Sequence, residues 1–263
     1  MSRFEKKKDE CCIIIKAQPH RSSKYFETVC CAGIGRDGVW RRQYPVPFRN
    51  LRKEQKFARW DWIEYDWVQP TDDRRLESQK VDPDSIVVKG EMPKRDRVRL
   101  LNPLVRRSFA ESDARGDSLT LIRPKTISFR WKKKTPEDLD KEAKKHAELS
   151  RQLPMFGEVV EDWEPSPYAF KLYWTDQDGK RRNHDMDDWE TLGAFFRFSA
   201  DYGEERALEL IKEKYEKERF SKGLVLAFST HKRRNLTVGP ENQWLLVGLL
   251  SLEDTGQNDM FLR

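Results

Sequence analysis

Long apolar runs are missing from this sequence: none of its 263 residues belongs to a stretch of the roughly 18 apolar side chains that a membrane-crossing helix needs. An apolar segment is also missing behind the opening MSRFEKKKDE, so the N-terminus does not read as a secretory signal. Both absences lead to the expectation of a cytoplasmic protein without a membrane partner. Cysteine is scarce and comes as two adjacent pairs, Cys11-Cys12 and Cys30-Cys31. In a reducing compartment such residues stay thiols. Neighbouring residues of a strand point to opposite faces and the C-x2-C spacing of zinc sites is absent, so the pairs read as small buried hydrophobes rather than metal ligands. The motifs G-x-S-x-G, G-x-x-x-x-G-K-[ST], G-x-G-x-x-G and H-E-x-x-H are absent as well, which disfavours serine hydrolases, P-loop NTPases, dinucleotide enzymes and zincins. No repeat of fixed period is present.

Charge is what the chain has in quantity, and it is unevenly placed. Residues 1–60 hold 15 basic against 6 acidic side chains, 61–92 hold 4 against 9, 93–134 hold 13 against 4, and 135–263 hold 19 against 26. Two basic blocks therefore flank an acidic one, and the second half is acidic. Such asymmetry is the footprint of a polyanion-binding face; the plain alternative is a set of solvated cations.

The hydrophobic content of 37% can fill a core, and the length suits two domains. Residues 11–17 and 26–34 read as strands, and Asp37-Gly38 as a hairpin turn leading into a return strand over 39–44. Further strands are expected over 59–68 and 85–89, with the polar stretch 69–83 between them as loop. Residues 94–109 have apolar positions at helical spacing and read as a basic amphipathic helix, despite Pro103. Strands follow at 119–122 and 126–131. Thr135-Pro136 starts a charged helix running to about residue 152. Beyond it, residues 168–174 and 180–184 flank a second Asp-Gly turn, and Asp187 and Glu190 form a capping box for a helix. Another helix is expected over 203–219, and the apolar runs 224–229 and 244–252 read as central strands covered by the two helices. The fold class is thus α+β: a β-rich, barrel-like basic half (1–134), a charged connector helix (135–154) and an acidic α/β half with a small sheet covered by two helices (155–263).

Aromatics and cations interleave from Trp40 to Lys53, a mixture that pairs with phosphates and stacks on bases. The expected phosphate-gripping residues are Arg41, Arg42, Arg49, Arg52 and Lys53, extended by Arg130 and Lys132 and by Arg21, Ser22 and Lys24 in the turn before residue 26. The plain alternative is that Trp40, Tyr44 and Phe48 are core, with only the cations outside. These residues lead to the expectation of a nucleic-acid-binding protein, the type of nucleic acid left open. Two other readings stand beside it. His184, Asp185 and His231 would form an acid–base or Mg/Mn-dependent phosphodiesterase site if they met; in the other reading the chain is a protein-interaction module whose basic face docks an acidic partner, with the acidic C-terminal half as a second surface for a protein partner. Outside that enzyme reading no cofactor is expected. Asp72 to Lys80, with its Glu77-x-x-Lys80 spacing, reads as a loop salt-bridge cluster rather than a nuclease site.

Overall fold

The computed structural model describes residues 5–18, 20–22, 26–73, 75–151, 165–230 and 244–252. The chain begins with seven strands of one sheet: β1 (Lys7–Lys16), β2 (His20–Ser22), β3 (Phe26–Ile34), β4 (Trp40–Val46), β5 (Asp61–Val68), β6 (Ser78–Val81) and β7 (Val87–Glu91). The order β1-β3-β4-β6-β5 returns to β1 through a direct β1–β5 ladder, so five strands close a barrel. All its pairings are antiparallel except β4–β6, which is parallel. β2 pairs with β3 and β7 with β5, off this ring.

Closure explains the composition of β1. Its first half pairs with β5 and its second half with β3, the two ladders meeting at Cys12, and Cys11 to Ile15 are all buried. Register shifts between Ile13 and Ile15 and between Val29 and Cys31 add the local bend that a small barrel needs. Gly33 sits where β3 approaches β1 so closely that a Cβ would collide with the Cys12 carbonyl and the Cys11 sulfur.

The strand that completes the ring is one the sequence hides. Residues 69–83 read as a polar loop, yet β6 lies within them and joins β4 to β5. Its inward residues are Gln79 and Val81, and the glutamine has a polar partner inside the barrel, so an apolar count misses the strand. The Tyr65 hydroxyl donates to Gln79 Oε1 at 2.6 Å and accepts from Gln43 Nε2 at 3.0 Å, all three side chains being buried.

Further along come α1 (Lys94–Leu101), β8 (Val105–Arg106), α2 (Phe109–Arg115), β9 (Leu119–Ile122), β10 (Thr126–Lys133), α3 (Pro136–Arg151), β11 (Tyr168–Thr175), β12 (Arg181–Asp185), α4 (Trp189–Tyr202), α5 (Glu204–Glu213), β13 (Leu224–Thr230) and β14 (Trp244–Ser251). The single helix expected over 94–109 is broken. α1 stops before a 3-10 turn at Asn102–Leu104, because Pro103 lacks the N–H and its ring clashes with the preceding turn. α4 is capped one residue later than expected: Asp188, not Asp187, accepts from the Thr191 N–H at 3.2 Å and hydroxyl at 2.8 Å. α5 continues as a π-helical turn over Lys214–Arg219.

One sheet has the order β14-β13-β9-β8 and another β10-β11-β12. β13 is internal and buried throughout, whereas β14 ends its sheet, with one parallel bridge from Leu246 to Met186. The chain divides into two compact units, residues 1–92 with 131–169 and residues 93–130 with 170–263. Residues 93–130 thus group with the second unit and not with the first block ending at 134, because β9 supplies the strand beside β13. The core of the second unit is aromatic. Phe109 stacks on Trp244 at 5.2 Å and meets Phe228 and Trp174 edge-on at 4.8 and 5.6 Å.

Candidate nucleic-acid interface

β4 carries the densest mixture of aromatics and cations, and its pleat sorts them. Gln43 points into the barrel, where its Nε2 donates to Tyr65 Oη and, at 2.9 Å, to Cys11 Sγ. The alternate residues Arg42 and Tyr44 face outward, opposite Ser78 and Lys80 of β6. Tyr44 keeps 39% of its surface exposed, and Lys80 is exposed beside it. A flat ring and a cation therefore share the outer surface where the parallel pair closes the barrel.

The two arginines that look most available in the sequence are engaged by the fold. Arg41 donates from Nε to Asp9 at 2.7 Å and from a terminal nitrogen to Asp37 at 2.8 Å, while Asp9 also accepts from Gln79 Nε2 at 2.7 Å. Arg42 is buried against Glu77 at 3.2 Å. Burial, helped by the nearby Arg75 cation, pushes the Arg42 guanidinium down to about 10. Both arginines brace the barrel, and nothing in the sequence of residues 40–44 distinguishes such braces from surface cations.

Between β4 and β5, Arg49 lies in the 3-10 turn Phe48–Asn50 and Lys53 opens a second, Lys53–Gln55, which Arg52 precedes as its N-cap residue. Arg52 and Lys53 are exposed and Arg49 is half-buried. The segment is held from beneath. Buried Gln55 donates from Nε2 toward the carbonyls of Pro83, Asp84 and Ile86 at 3.1 to 3.2 Å, and Phe48 packs edge-on to buried Phe57 at 5.0 Å. Cations on such a base keep their positions without ordering a loop on binding. Arg52 also donates to Gln55 Oε1 at 3.0 Å.

Arg21 and Ser22 lie in β2, opposite Glu27 and Phe26 of β3. Lys24 lies outside the described residues, as does His231. Arg130 and Lys132 are exposed and share one face of β10, alternating with buried Phe129 and half-buried Trp131.

His184 and Asp185 are adjacent on β12 and so point to opposite faces. His184 accepts a hydrogen bond at Nδ1 from Trp174 Nε1 at 3.0 Å and meets Phe109 and Phe228 edge-on at 5.6 and 5.1 Å. Burial and then the Arg182 cation push its imidazole down to about 4, so it is neutral at pH 7. The Asp185 side chain is 85% exposed, 3.3 Å from Lys171. The two do not form one site, and among the described residues no three metal-binding side chains cluster. All four cysteines are thiols, and burial pushes Cys11 and Cys31 up, away from the reactive thiolate.

Sequence reasoning missed Lys80, placed in a loop, and left Tyr44 open between core and surface. The signal for both was the short alternation of Ser78–Val81, too brief and too polar to stand out.

Two family models match the chain, each described as a domain of unknown function: DUF8758 over residues 7–107 and DUF8757 over residues 102–262. No curated protein matches it. The second model spans more than half of the 263 residues, so the chain belongs to the DUF8757 family.

Proposed function

We propose that the chain binds nucleic acid through the outer surface of its N-terminal barrel. The observation that carries the reading is a closed five-strand barrel with an exposed ring, Tyr44, beside an exposed cation, Lys80, and with the cations Arg52 and Lys53 on a braced segment following the same strand. Stacking on Tyr44 suits unpaired bases, and the cations suit the phosphates between them. The ring order β1-β3-β4-β6-β5 with one parallel closure is also that of the five-stranded Greek-key barrels that bind oligonucleotides and oligosaccharides. In those barrels the ligand lies on the face of the second and third strands, here β3 and β4, and on the connection after the first, where Arg21 and Ser22 here lie in β2. The likeness is one of strand path and assigns no residue by itself.

The test is anisotropy of labelled single-stranded DNA, RNA and duplex DNA across a salt series. Binding through about four phosphate contacts to single strands loses roughly 50-fold in affinity between 50 and 200 mM salt. The double variant Arg52→Ala/Lys53→Ala lowers the salt slope, and Tyr44→Ala costs roughly 1–3 kcal/mol on single strands, with a smaller loss on duplex. Affinity unchanged across the salt series removes the proposal.

A further inference from the structure

The second unit holds a cavity of about 500 Å³, lined by Arg123, Pro124, Phe220, Ser221, Lys222, Gly223 and Leu224. It forms where the end of β9 and the start of β13 lie side by side, since Ile122 pairs with Leu226. Gly223 is what lets the backbone turn there. Its φ is +71°, and a Cβ would strike the Leu252 carbonyl and crowd the Arg123 guanidinium.

Among the described residues the lining contains two cations, a hydroxyl and a ring, and no carboxylate. Arg123 is half-buried and, among the described residues, pairs with no carboxylate; it spends one donor, at 3.3 Å, on the Leu252 carbonyl. Among the described residues the rest of its planar fork meets no acidic side chain, and its shape suits a bidentate acceptor. Lys222 faces Glu218 at 3.1 Å, but both side chains are more than half exposed, so that pair is weak and gives way to a doubly charged phosphate. Phe220 leaves 36% of its surface exposed. The volume lies in the range of about 300–1,000 Å³ usual for small-ligand sites.

We propose that this cavity binds a nucleoside phosphate, with the phosphate between Arg123 and Lys222 and the flat base against Phe220. All its lining residues belong to the second unit, and the proposal stands whether or not the barrel binds nucleic acid. A free nucleotide and the phosphorylated end of a strand present the same chemistry.

The experiment is calorimetric titration of the full chain with adenosine monophosphate, adenosine, inorganic phosphate and a short oligothymidylate with or without a 5′ phosphate. Adenosine monophosphate is expected to bind with a Kd of about 1 mM or tighter, and adenosine and phosphate each at least about tenfold more weakly. Lys222→Gln and Phe220→Ala each weaken it about fivefold or more, whereas Arg52→Ala/Lys53→Ala leaves it unchanged. Tighter binding of the 5′-phosphorylated oligonucleotide, lost in Lys222→Gln, assigns the site to strand ends; equal or weaker binding assigns it to free nucleotides. Absence of heat from every phosphate-bearing probe at about 10 mM overturns the proposal, as does full affinity in Lys222→Gln.

Discussion

At the scale of single residues, the same side-chain type takes its meaning from what surrounds it. His184 looks like half of an acid–base pair in the sequence, with a carboxylate next to it. On a strand that neighbour faces away, and the imidazole lies instead among Trp174, Phe109 and Phe228. Its pKa in the fold, about 4, lies below the unfolded value near 6.5, so the unfolded chain takes up the proton first. The stability it contributes is complete above about pH 6.5 and is lost as pH falls toward 4. Between pH 7 and pH 5 the loss is roughly 2 kcal/mol. Urea unfolding at both pH values should show that slope in the parent and much less of it in His184→Phe; equal slopes would mean the imidazole is charged in the fold. Arg41 and Arg42 teach the same lesson, since partners far away in sequence, Asp9 and Glu77, turn two apparent surface cations into internal braces.

At the scale of elements, local chemistry is readable where it is self-contained. The strand over Leu119–Ile122 and the two Asp-Gly hairpins follow from apolar runs and turn residues alone. The β11–β12 hairpin has a further device: Asp176 accepts from the backbone N–H groups of Asp178 and Lys180 at 3.1 and 2.8 Å and from Arg182 Nε at 3.1 Å. The two side chains are 1% and 7% exposed, and the Arg182 guanidinium also lies 4.7 Å over Phe109. Asp176→Ala strands a buried cation and should cost roughly 3–5 kcal/mol. Asp176→Asn keeps the two turn bonds and should cost less, a ranking that thermal melts of both variants check. Where an element depends on a distant partner, the local pattern fails. β6 is four residues long, three of them polar, and it is a strand because β4 and β5 pair with it.

At the scale of the whole chain, the barrel's closure ties residues 40–44 to residues 77–81, and the Arg42–Glu77 pair lies on that seam. Removing one partner leaves the other charge buried, so Glu77→Ala should destabilise the protein by roughly 3 kcal/mol. The double variant Arg42→Met/Glu77→Leu removes both charges and should cost far less, while leaving nucleic-acid affinity unchanged; chemical denaturation beside the anisotropy assay reads both. A fall in affinity in that double variant would place the Arg42 cation at the ligand and not in the brace. The sequence by itself determined the fold class, the barrel-like first half and most of the strands, because alternation, turn chemistry and caps act over a few residues. The tertiary structure decided which cations are spent on carboxylates, that Tyr44 and Lys80 share a surface, and that residues 93–130 group with the second unit. Those outcomes rest on ladders and ion pairs between residues tens of positions apart, and spacing along the chain carries no record of them.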